Sequence, residues 1–141
     1  MESVAPHDAH QKHALYLIAN SELTGFSEAE RAVIANIARY HRGSMPRRRH
    51  LEYASLNAAD QDTVSKLGGI IRLADALDRN HDSRVQSLEC VAEPGRFTIG
   101  ISSNSNYENE LAEIERKRDL FEQAFGRTLT VTSSKRKVKI A

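Results

Sequence analysis

The sequence predicts an α+β chain: a helical part over residues 1–83 followed by a small β-β-α-β part over residues 84–141. Three observations carry this. Apolar residues recur at helical spacing through residues 10–41 and again through 57–80. Near residue 84 the period changes to the alternation of strands. The balance of 40% hydrophobic and 28% charged residues over 141 positions suits one ordinary domain, or one domain with a small appendage.

Pro6 marks the start of the first helix. From His10 to Ser21 it carries His10, His13 and Leu17 on one side, with Ala14, Leu15 and Ile18 beside them. After the loop Leu23–Phe26, Ser27 and Glu30 form an S-x-x-E capping box, which satisfies free amides at a helix start. The second helix runs to about His41, with Val33, Ile34, Ile37 and Ala38 as its apolar face. His41 stands one turn after Ile37 and is expected to point inward. Gly43 and Pro46 stop the helix. Residues 42–56 read as a loop holding Arg42 and the run Arg47, Arg48, Arg49. Asn57 and Asp60 look like the cap and first turn of a long third helix ending near Asn80. Its stripe is Leu67, Ile70, Ile71, Ala74 and Leu77, interrupted by Asp75 and Asp78. Gly68 and Gly69 cost roughly 1 kcal/mol each relative to alanine inside a helix, so close packing or a bend is expected there.

Val85–Ala92 and Arg96–Ser102 alternate as strands around the turn Glu93-Pro94-Gly95. Ser105 and Glu108 suggest a second capping box. The helix over 106–125 has its stripe at Tyr107, Leu111, Ile114, Phe121 and Phe125, with Gly126 as the stop. Arg127–Ser133 and Val138–Ala141 read as two further strands around a basic turn containing Lys135, Arg136 and Lys137. That turn reads as a charged hairpin tip.

Composition excludes several classes. A net charge of +1 gives no global case for nucleic acid. The single Cys90 rules out an intramolecular disulfide and fits a reducing compartment; it is expected to pack in or near a strand. No apolar run reaches the ~18–20 residues needed to span a bilayer, and the first residues lack the pattern of a signal peptide. The expected location is cytoplasmic.

One constellation could carry chemistry. His13 (with His10 one turn earlier), His41 and Asp75 (with Asp78 after it) are placed by helical spacing on apolar faces. Imidazole and carboxylate are the ligand types of Mn, Fe, Zn or Mg sites, and such a site activates water and polarises phosphoryl oxygen. The alternative leaves both histidines structural and pairs Asp75 with an arginine such as Arg39, Arg72 or Arg79. Arg42, Arg47, Arg48 and Arg49, with Arg39, offer forked donors to phosphate, or form a solvated loop.

The segments HQKHALYLIANSELTGF, IANIARYHRGSMP, KLGGIIRLADALDRNH and ENELAEIERKRDLFEQAFGRTLTV together resemble the carboxy-terminal region of the Ppx/GppA phosphatases, the exopolyphosphatase and guanosine-pentaphosphate phosphohydrolase family. The resemblance covers about residues 7–141. It implies an HD-like helical part and a possible divalent metal (Mn, Fe or Mg) held by His13, His41 and Asp75. The chain departs from the family pattern in two ways. The Leu-His-Asp-Ile-Gly-like segment expected ahead of this region has no counterpart, since His7-Asp8 follows Pro6 without an apolar helix before it. The actin-like domains, with their phosphate loops and catalytic acids, are also absent. The chain is therefore expected to be the tail of a longer enzyme or a shortened relative.

The leading functional expectation is an accessory domain that contacts polyphosphate or guanosine polyphosphate through Arg42 and Arg47–Arg49, or that dimerises. The alternatives are an HD-like metal phosphohydrolase acting on a nucleotide or phosphate ester, and a non-catalytic nucleotide or polyanion sensor. An apolar face left uncovered is expected to be an interface, as a homodimer or against missing amino-terminal domains.

Overall fold

The structure is a computed structural model that describes residues 6–134, with side chains from residue 9 onward. The expected strand at 138–141 and the turn Lys135-Arg136-Lys137 lie outside the described residues, as do the side chains of His7 and Asp8. The contacts divide the chain into two units, Met1–Arg72 and Leu73–Ala141. The element order is α1 (Pro6–Ala19), α2 (Glu28–Tyr40), α3 (Leu51–Ala54), α4 (Ala58–Leu77), β1 (Ser87–Glu93), β2 (Arg96–Ser102), α5 (Glu108–Phe125) and β3 (Thr128–Ser133). This is the mixed α+β order expected, with helices first and a β-β-α-β unit after. Helices give way to strands close to residue 84, whereas the division by contacts falls inside α4.

In the first unit α1 packs against α2. The capping box of α2 forms as predicted: Glu30 N–H donates to Ser27 Oγ at 3.2 Å, and Ser27 N–H donates to the Glu30 carboxylate at 2.7 Å. Asn57 and Asp60 cap α4, the Asp60 N–H donating to Asn57 Oδ1 at 2.8 Å. The loop after α2 turns at Gly43, whose φ is +74°. A Cβ there would also press on the end of the Gln11 side chain at 2.7 Å, but it is the left-handed conformation that requires glycine. The four-residue α3, not expected from sequence, sits within the supposed loop.

Two faces differ from expectation. On α1 the buried residues are Gln11 and Leu15, while His10, His13, Tyr16 and Leu17 are exposed. On α4 the buried positions are Val64, Gly68, Gly69, Arg72, Leu73 and Ala76, and Leu67, Ile70, Ile71 and Ala74 are exposed. Each set is one helical face. Spacing located both stripes but not which one is covered, and the glycine pair lies on the buried one.

In the second unit the sheet order is β1-β2-β3, with β1 antiparallel and β3 parallel to β2. A parallel neighbour needs a crossover, and α5 supplies it. Phe97, Ile99 and Ile101 share a face with Leu129 and Val131 of β3. That face joins Leu73, Ala76, Ile114 and Phe121 in the core. Leu88, Cys90 and Ala92 of β1 continue the same face by register, yet all seven β1 residues are exposed. Cys90 is in a strand but not packed.

Helix α5 starts differently from the expected Ser105–Glu108 box. Glu108 N–H donates to Asn106 Oδ1 at 2.8 Å, and Ser105 N–H donates to Ser103 Oγ instead. It stops as predicted at Gly126, in the left-handed region with φ +61°.

Candidate functional site

The basic loop is built on the end of α2. Tyr40 is fully buried, and its hydroxyl lies 2.7 Å from His50 Nδ1 with the two rings stacked. Tyr53 meets the same ring edge-on, with centroids 5.8 Å apart. The Arg39 guanidinium lies 5.5 Å from the Tyr40 centroid and bonds to Glu52 at 2.9 Å. Burial pushes the Tyr40 phenol up to about 12. Burial also lowers His50, and the positive charges of Arg39, Arg49 and Arg47 add to that effect. His50 is therefore a neutral imidazole at pH 7, held by Tyr40. Its own N–H closes a turn onto the Arg47 carbonyl at 2.9 Å. Arg47, Arg48 and Arg49 are exposed, as is Arg42. The buried Arg72 fastens the other end of the loop, donating to the Gly43 carbonyl at 2.5 Å and to Met45 Sδ at 3.6 Å. Backbone and aromatic contacts thus fix a loop whose guanidinium groups face solvent. Arg39, grouped with these arginines by sequence, is buried and serves Glu52.

The predicted metal ligands are placed as follows. His13 and His10 are exposed on α1, and His41 is half-buried at the C-cap of α2, its Nδ1 against the Ala38 carbonyl. Asp75, in the second unit, bonds to Lys117 Nζ at 2.5 Å. Both side chains are mostly buried, at 17% and 13% exposure. Lys117 also faces Glu113 at 3.4 Å, and Glu113 takes Arg116 at 2.5 Å and Arg79 at 3.8 Å. One compensating charge for Asp75 is thus an ammonium on α5. Asp78 is exposed and lies 3.3 Å from His81. Among the described residues no group of three or more His, Cys, Asp or Glu side chains is arranged to hold a metal ion.

Sequence reasoning missed Lys117, although a signal exists. It stands three residues after Ile114 and four before Phe121, which places it on the apolar stripe of α5. Glu110, four before Ile114, lies on the same stripe and is 1% exposed. His50 carried no signal, because its role depends on a tyrosine from another helix.

The family described as Ppx/GppA phosphatase, domain III, matches residues 3–120. The chain belongs to this family. The match confirms the resemblance carried by the three helical motifs and makes the chain an exopolyphosphatase-related accessory domain. Comparison with curated proteins gives no match. No helix among the described residues is long and apolar enough to cross a membrane.

Proposed function

We propose that this Ppx/GppA domain III contacts a polyanion, polyphosphate or a guanosine polyphosphate, through Arg42, Arg47, Arg48 and Arg49. The observation that carries the reading is the loop itself: three consecutive exposed arginines on a backbone anchored by Tyr40–His50 and Arg72. Guanidinium groups pair with phosphate oxygens in two-pronged fashion, and a pre-set loop loses less entropy on binding. The test is polyphosphate binding by the full chain and by an Arg47→Ala, Arg48→Ala, Arg49→Ala variant. Binding that weakens with added salt and with the triple substitution supports the reading. Salt-independent binding, or binding that the variant retains in full, defeats it.

A second reading is favoured by the exposed Leu67, Ile70 and Ile71 of α4 and Tyr16 and Leu17 of α1. These side chains make the first unit a contact surface, either for a second copy or for other domains of the enzyme. Divalent-metal binding at His13, His41 and Asp75 is also proposed, with the Lys117 ammonium on Asp75 Oδ2 opposing a cation there. Metal analysis of the purified chain and of His41→Ala decides that point: stoichiometric Mn or Fe lost on substitution supports it, and a metal-free wild-type chain after loading defeats it.

A further inference from the structure

We propose that the segment joining α4 to β1, residues 78–89, is a loop that binds a calcium-class cation, with the buried Glu110 of α5 as the acid behind it. The site shares no residue with the basic loop or with His13, His41 and Asp75, and stands independently of both readings.

The segment reads DRNHDSRVQSLE. It follows the calcium-loop pattern D-x-[DN]-x-[DN]-G-x5-E, in which alternate residues supply oxygen ligands, a glycine makes the sharp turn and a glutamate closes the loop. Asp78, Asn80 and Asp82 fall on the first three ligand positions, the Arg84 carbonyl and Gln86 on the next two, and Glu89 on the last. Ser83 stands where the pattern has glycine and adopts the left-handed backbone of that position, with φ +55°. Oxygen-only ligands with several carboxylates suit calcium rather than a transition metal.

The observation that points to a ligand is Glu110. It is 1% exposed, and its Oε2 is enclosed without a hydrogen-bond partner. Its Oε1 accepts Asn80 Nδ2 at 3.3 Å. Its charge also acts on Arg84, which Asp82 chiefly holds in the charged form. Glu110 is therefore directed at the loop, at the third and seventh of its residues. The first turn of α5 favours a negative charge there but gives Oε2 no bond. A buried carboxylate oxygen with no partner is costly, and a cation captured by the loop supplies the missing charge. Because the Asn80 amide nitrogen is committed to Glu110, its Oδ1 is left as an acceptor that no group among the described residues uses. That oxygen is the atom the pattern assigns to the ion. In the chain alone the loop acids are held apart: Asp78 faces His81 at 3.3 Å, and Asp82 takes Arg84 at 2.5 Å. Such exposed pairs are weak, so the cation exchanges them and draws the loop closed. That exchange sets the affinity at the weak end of such loops, about 0.1–1 mM.

The test is a calorimetric titration of the full chain with calcium chloride at constant ionic strength, with amide NMR shifts followed in parallel. The expected result is one saturable site, shifts centred on residues 78–89 and the Asn80 side-chain amide, and magnesium binding at least about tenfold weaker than calcium. Asp82→Asn, at a side chain 39% exposed, should fold and weaken calcium about tenfold by removing one ligand charge. Glu110→Gln keeps the size and the oxygen that Asn80 meets. Calcium should raise the melting temperature of the wild type and not that of this variant. His41→Ala and the Arg47–Arg49 variant should bind calcium as the wild type does, which separates this site from the other two. No saturable binding up to about 10 mM calcium, equal affinity for calcium and magnesium, binding lost with His41→Ala, or binding unchanged in both Asp82→Asn and Glu110→Gln overturns the proposal.

Discussion

Replacing Lys117 with methionine removes the ammonium 2.5 Å from Asp75 and 3.4 Å from Glu113, in a mostly buried setting. Breaking such a pair costs about 2–4 kcal/mol, read as a lower urea midpoint with an unchanged slope. His50 makes a second prediction through its lowered pKa. In the unfolded chain it titrates near its ordinary value of 6.5, and in the folded chain below that. Between those two values the unfolded state binds more protons, so stability rises with pH there. Stability is therefore expected to be full above about pH 6.5 and to fall as pH drops toward the folded value. His50→Gln should remove that part of the pH dependence, as followed by thermal melts across the range. An unchanged pH profile in the variant would show that His50 stays solvated.

At the scale of elements, local chemistry explains starts and stops better than faces. The Ser27–Glu30 box satisfies two amides of α2, and Ser27→Ala should cost about 1 kcal/mol, measured by chemical denaturation. Gly126 stops α5 through a left-handed residue, and both features were legible because they depend on residues within one turn. The start of α5 was misread for the same local reason. Asn106 and Ser105 both offer side-chain oxygens, but the backbone path makes Tyr107 the N-cap, without a side-chain cap bond, and the Asn106 Oδ1 receives the Glu108 N–H from the position before it. The α4 stripe failed at a different level. Leu67, Ile70 and Ile71 are more apolar than Gly68, Gly69 and Arg72, yet the latter are covered. Glycine on a covered face permits close approach of backbones, and Arg72 is buried because the Gly43 carbonyl receives it.

At the scale of the molecule, the exposed apolar face of α4 predicts concentration-dependent association. Light scattering should show a species larger than the monomer, and Ile70→Glu, at a side chain exposed in the single chain, should shift it toward monomer and remove the concentration dependence of the melting temperature. A monomer at every concentration would remove the self-contact half of that reading.

The sequence by itself determined the order of elements other than α3, the caps Ser27, Asn57 and Gly126, and the change from helices to a β-β-α-β unit. These rest on periodicity and on interactions spanning a few residues. It also determined the family, because ordered motifs over most of the chain are specific. Only the tertiary structure decided which stripe of α1 and α4 is covered, that Lys117 meets Asp75, that His50 holds Tyr40, and that Arg79 and Arg116 share Glu113. Each of those depends on residues at least ten positions apart in sequence or on the choice between two competing faces. Burial and pairing across such separations are set by packing, which periodicity does not encode.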